Sequence, residues 1–286
     1  MLTVVIALLA GAAYGGYAVY RHFQLMLIVP GCQAGTGASA IPLDFEQARN
    51  AATIADVAVY DHLPTRALAI AYATALQESK LANLSYGTSD SVGIFQQRPS
   101  QGWGSARDLQ DPVYASQAFF ESGPSALTKI RHYSSLPISE AAQKVQHSAD
   151  GSAYAQWADE ASDLAADFTT VPHAVTCWYN PATQAAQNGV STRLNLRGAV
   201  RALEGTFGTP RPDGVVTGIT SASGGASEIV DVTHAGGWAV ANWLVANASS
   251  FGITRVTYGG YQWTASLTET SWQPAPGNQA GSIVAS

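Results

Sequence analysis

Residues 64–78 read Pro-Thr-Arg-Ala-Leu-Ala-Ile-Ala-Tyr-Ala-Thr-Ala-Leu-Gln-Glu, and this run constrains the fold more than any other. It has Pro64 at a tolerated first-turn position and then no residue that breaks a helix. Ala67, Ala71, Thr74 and Glu78 fall on one face at spacings of four, three and four. A stripe of side chains that small lets another segment pack close, and it leaves Glu78 at the open end. The chain then changes character: Asn83 to Trp103 is rich in Gly, Ser and Asp and reads as loops or short strands around Gly93-Ile94-Phe95. An apolar helix ending in an acid, overlaid by a glycine-bearing turn, implies a helix-dominated domain with a loop-rich insert after its second helix.

The position of Glu78 would suit a general acid, and glycosidic-bond cleavage is one reaction that needs one. Cleaving a glycosidic bond needs a proton delivered to the leaving oxygen, so one carboxylic acid must hold a proton near neutral pH. A carboxyl group at a helix C-terminus facing an apolar cleft meets that need through desolvation and the helix dipole. Most helical glutamates are solvated charges, so periodicity alone does not select this role.

Glu78-Ser79, followed by Gly93-Ile94-Phe95-Gln96-Gln97-Arg98-Pro99, resembles the lysozyme-like superfamily, and within it the lytic transglycosylases. The segments Ala-Leu-Gln-Glu-Ser-Lys-Leu and Gly-Ile-Phe-Gln-Gln-Arg-Pro-Ser-Gln-Gly-Trp-Gly are more closely similar to a group of membrane-anchored actinobacterial proteins. Those are sometimes named heavy-metal transporters, but this chain has no Cys-x-x-Cys or His-x-His to support such a name. The resemblance spans roughly Pro42 to Phe168.

The resemblance implies that Glu78 is the catalytic acid and that Gln96 lies in a sugar-binding cleft. Ser79, Gln97, Tyr114, Gln146 and Tyr154 join Gln96 as expected substrate-binding residues. The Ala-Tyr-Asn-Ala-Gly segment of the family is absent, and Val145-Gln146-His147-Ser148, with Tyr154 further on, stands in its place. Thr88-Ser89-Asp90 resembles the stretch of animal-type lysozymes that holds their second acid, so Asp90 is the candidate second carboxylate; the other reading makes it a turn-holding Asp. A lone Glu78 would suit a transglycosylase, in which one residue serves as acid and then base. Tyr86, Trp103 and Tyr114 are the aromatics near this region that could stack on sugar rings.

The chain has 286 residues, 47% apolar and 12% charged, with a formal charge of −6. It therefore supports a sizeable core, and the absence of any Lys/Arg run argues against nucleic acid as a partner. Leu2 to Tyr20 is uncharged and long enough to span a bilayer. An uncleaved anchor, a cleaved signal peptide and a lipoprotein signal ending at Cys32 all fit that pattern. The anchor is the expectation, because Pro30 precedes the cysteine and no small-residue cleavage site follows the apolar run. Residues 32–286 would then lie outside the cytoplasm. There a bridge between Cys32 and Cys177 would tie the ends of the first domain together, two free buried thiols being the alternative.

The expected organisation is an anchor over 1–29, a mainly α lysozyme-like domain over 33–170, a linker over 171–191 and a small α+β domain over 192–286. In the last unit Glu228 to Val232 alternates like a strand, and Gly237 to Ser250 reads as an apolar helix. Ile253 to Thr264 alternates again, and Ser282 to Val284 reads as a closing strand. That unit carries no acid–base pair or metal cluster and reads as a binding or packing module. The expected activity is cleavage of peptidoglycan glycan strands with no cofactor and no metal. The rival is a catalytically inactive lysozyme-like protein that holds the wall.

Overall fold

The computed structural model describes residues 28–148, 150–183, 195–221, 227–233, 236–277 and 281–286. About half of it is helical, with two small antiparallel sheets. The expected anchor over Leu2–Tyr20 lies outside the described residues. Among those described, no helix is long and apolar enough to cross a membrane.

The first helix, α1 (Phe45–Tyr60), begins where local chemistry says it should. Asp44 accepts a hydrogen bond from the Gln47 backbone N–H at 2.8 Å, and the Gln47 side chain accepts one from Asp44 N–H at 2.9 Å, completing a capping box. The second, α2 (Thr65–Ser79), carries the small-residue stripe: Ala67, Ala71 and Thr74 are fully buried. Short helices α3 (Ala106–Leu109) and α4 (Pro112–Gln117) follow, the latter running into a wide turn at Ala118–Ser122. Next come α5 (Ile138–Gln146), a 3₁₀ segment at Gly151–Trp157, and α6 (Ala158–Thr169), which packs more extensively on α2 than any other element. Helix α5 starts directly after Pro137, with no side-chain cap bond.

A three-stranded sheet ties the ends of this helical part together. Strand β1 (Gly31–Ala34) is central, between β2 (Ile41–Leu43) and β3 (Thr176–Trp178). Cys32 stands directly opposite Cys177, and the two are bonded. The stretch read as linker therefore supplies a sheet strand, and the bridge closes a sequence separation of 145 residues. In the chain-entropy model such a loop contributes roughly 4–5 kcal/mol.

The remainder forms a second sheet, in the order β4 (Val216–Ser221), β5 (Glu228–Val232), β9 (Ser282–Ala285), β6 (Arg255–Tyr258), β7 (Tyr261–Thr264) and β8 (Gln273–Pro274). Helix α7 (Leu196–Phe207) precedes it, and α8 (Gly237–Phe251) packs against α1. Twelve residues of α8 are buried, so it is enclosed on nearly all sides. Asn242 on α8 donates to the backbone carbonyls of Asp167 and Phe168 at the end of α6. Indoles complete the joint: Trp272 Nε1 donates to Val175 O at 2.8 Å, and Trp263 Nε1 to Cys177 O at 3.0 Å. One apolar cluster runs unbroken from Cys32 through α1 and α2 to Trp263 and Ile283.

Candidate active site

The C-terminal turn of α2 carries Gln77, Glu78 and Ser79, and its geometry is set from outside the helix. Lys80 and Leu81 both adopt left-handed backbone (φ 57° and 63°), unfavourable for residues with side chains. Helix α1 holds this bend in place. Gln47 Nε2 donates to Lys80 O at 2.9 Å, Asn50 Nδ2 donates to Leu81 O at 2.6 Å, and Glu46 Oε1 accepts from Asn83 N–H at 2.8 Å. The amide of Gln47 thus serves the α1 cap with its oxygen and the α2 exit with its nitrogen.

Ser79 is buried, and its hydroxyl lies 2.6 Å from Ile94 O, to which it donates. That bond fastens the end of α2 to the turn at 93–96. The turn needs glycine at its first position: Gly93 has φ 82°, and a Cβ there would collide with Leu109 O. Ile94 and Phe95 point into the core, where Phe95 stacks on Phe119 at 4.5 Å between centroids. Gln146, from the last turn of α5, donates Nε2 to Phe95 O at 2.6 Å. It joins the end of α5 to the turn.

Glu78 itself is half-buried, and its Oε1 accepts a hydrogen bond from Tyr154 Oη at 2.6 Å. Tyr154 sits on the 3₁₀ segment and is 1% exposed. Burial first, and then the neighbouring Glu78 carboxylate, push its phenol well above the ordinary tyrosine range. It therefore stays a donor at any working pH. Among the described residues Glu78 Oε2 has no hydrogen-bond partner. Beside this pair, Trp157 Nε1 and Gln156 Nε2 donate to Gln77 Oε1 at 2.9 and 3.1 Å, and Lys80 Nζ lies 3.9 Å above the Trp157 ring. These contacts clamp the 3₁₀ segment to the helix end, which is how Tyr154 reaches a residue 76 positions earlier.

The remaining expected residues lie as follows. Asp90 Oδ1 accepts from Arg98 Nε at 2.9 Å and Ser100 Oγ at 3.0 Å, and Oδ2 accepts from Ser100 N–H at 2.6 Å. The Arg98 bond, followed by the Ser100 backbone bond, lowers its carboxyl to about 2. Asp90 is a loop-fastening carboxylate with most of its acceptor capacity engaged. Gln96 Nε2 donates to Tyr86 O and Gly93 O, at 3.2 and 3.1 Å. Gln97 is buried beneath the turn, donating to Ala115 O, and its Oε1 lacks a partner among the described residues. Tyr114 is half-buried, its hydroxyl 3.3 Å from Trp103 O and its ring over Gly104.

Glu78, Ser79, Gln146 and Tyr154 thus converge on the end of α2 and the turn beside it. Gln97 and Tyr114 support the loops behind them. Sequence reasoning missed the Gln77–Trp157 clamp and the second use of Gln47. The capping box was the only local signal at Gln47, and nothing in the sequence ties position 157 to position 77. A pocket of about 410 Å³ between α1, α2 and the second sheet, lined by Ala58, His62, Leu68, Thr170, Asp213 and Val215 among others, does not include Glu78. Among the described residues no group of three or more His, Cys, Asp or Glu is placed to hold a metal ion. No protein-family model and no curated protein matches the chain.

Proposed function

We propose that this chain is an extracytoplasmic glycosidase of the lysozyme-like type, cleaving peptidoglycan glycan strands as a lytic transglycosylase with Glu78 as its acid and base. The observation that carries the reading is the Tyr154–Glu78 contact at 2.6 Å on the end of α2, with Oε2 left without a partner among the described residues. Tyr154 fixes the carboxyl group through one oxygen, and the other is available to the substrate. The proton leaves Oε2 for the glycosidic oxygen as the bond to the anomeric carbon breaks. The Glu78 carboxylate then accepts the proton of the sugar's own 6-hydroxyl as that oxygen bonds to the anomeric carbon, giving an anhydro product. The engagement of Asp90 with Arg98 and Ser100 favours this single-carboxylate route over one needing a second free acid. Anchoring through residues 1–29, with the catalytic part outside the cytoplasm, belongs to the same proposal, and the Cys32–Cys177 bond fits an oxidising compartment.

Glu78→Gln keeps size and hydrogen bonding but cannot deliver a proton. It should retain the fold and glycan binding while losing about 10²–10⁴-fold in cleavage rate. Asp90→Asn should retain most of the activity. Mass spectrometry of digested peptidoglycan reads the outcome. Anhydro-muramic ends are expected; reducing ends would mean hydrolysis. Glycan binding by the wild-type protein with neither product would make it a wall-holding protein.

A further inference from the structure

Tyr86 and Trp103 lie on the loops between α2 and α3 and Tyr114 on α4, and the structure sorts these three aromatics. Trp103 is 7% exposed and closes over Gly123, while Tyr114 is packed over Gly104. Tyr86 is 71% exposed. A lone exposed tyrosine is ordinary on a protein surface, so its exposure carries the argument only together with its tethering. Gln96 Nε2 binds Tyr86 O and Gly93 O at once, so the Tyr86 backbone is fixed to the turn at 93–96. The same turn, through Ile94 O, receives the hydroxyl of Ser79, the residue next to Glu78. Gly87 leaves room for the Gln96 side chain, with which a Cβ would collide. On the far side, Asp90 fastens the loop to Arg98 and Ser100. The backbone that carries the Tyr86 ring is thus already fixed, and a ligand that stacks on the ring restricts only the two side-chain torsions.

We propose that Tyr86 is a stacking platform for a pyranose ring of the glycan strand, forming a sugar subsite beside Glu78. Tyrosine suits this task because its ring offers a rigid apolar face and its hydroxyl remains in water. A nucleic-acid base, the other ligand that stacks on such a ring, is disfavoured by the charge of −6 and the lack of a basic run. The assignment rests on the glycosidase reading of the Glu78 site.

Binding of peptide-free glycan strands by the full chain tests it, with Glu78→Gln as the background so that cleavage does not consume the probe. Adding Tyr86→Ala should weaken binding about 2- to 10-fold, the range of a single aromatic contact. Tyr86→Trp should restore it, and its indole emission should shift when glycan is added. The thermal midpoint should not move, since the side chain is exposed. Equal binding with and without the Tyr86 ring would overturn the subsite and leave the glycosidase reading standing. Failure of the Glu78→Gln protein itself to bind glycan would overturn both.

Discussion

At the scale of single residues, the group most at odds with its surroundings is Asp56. It lies on α1 at 1% exposure, and neither carboxylate oxygen has a hydrogen-bond partner among the described residues. Burial pushes its carboxyl well above the ordinary range, so the folded chain holds it neutral. Asp61 and Asp167 move the same way, to about 6, each by burial first and then by a neighbouring acid, Glu121 and Asp163 respectively. A carboxyl group raised on folding favours the native state fully at pH below its unfolded value, near 4, and that contribution is lost as pH climbs. Asp61 and Asp167 lose theirs between about pH 4 and 6, and Asp56 continues to lose above that window. Asp56→Asn removes this titrating group while keeping its shape. Melting curves of wild type and variant should diverge from pH 4 to pH 7, with the variant falling less. Parallel curves would show that Asp56 is not held neutral in the native state.

At the scale of elements, the site depends on a helix end that α2 cannot fix alone. Two successive left-handed residues, Lys80 and Leu81, cost of order 1–3 kcal/mol each, and the α1 amides hold them there. Asn50→Ala would leave the buried Leu81 carbonyl unpaired, a loss of about 1–3 kcal/mol in denaturant-measured stability. Cleavage should fall by more than the folded fraction does, because the turn that aims Glu78 loosens. Unchanged cleavage at reduced stability would mean that the bend does not position the acid. What the sequence made legible follows the same division. The α1 capping box, the α2 stripe and the Gly93 turn were readable because each rests on residues at most a few positions apart. Strands β1, β2 and β3 were not, being three or four residues long, with β1 and β3 paired across the whole helical part. Within the site, Glu78 stands out by its local setting. The hydrogen bond from Tyr154, the diversion of Asp90 to Arg98 and the burial of Gln97 are all fixed by tertiary packing that spacing does not encode.

For the whole molecule, the two halves share one core. Helix α8 covers α1, Asn242 satisfies the carbonyls at the end of α6, and two indoles bind the backbone of the 175–177 segment. Removing residues 209–286 would strip all of these at once and bare apolar faces of α1 and α6. The truncated chain should lose native near-ultraviolet circular dichroism and melt without cooperativity. A sharp transition within a few degrees of the full-length midpoint would show that the helical part folds by itself. The bond between Cys32 and Cys177 has a mechanical meaning as well. Tension applied between the N-terminal side of β1 and the C-terminal sheet passes along the chain to Cys32, crosses the sulfur bridge and leaves through Cys177. The 144 residues between them, Glu78 and Tyr154 included, are bypassed. A chain held at one end and pulled at the other would carry its load through two cysteines, leaving the acid and its phenol slack.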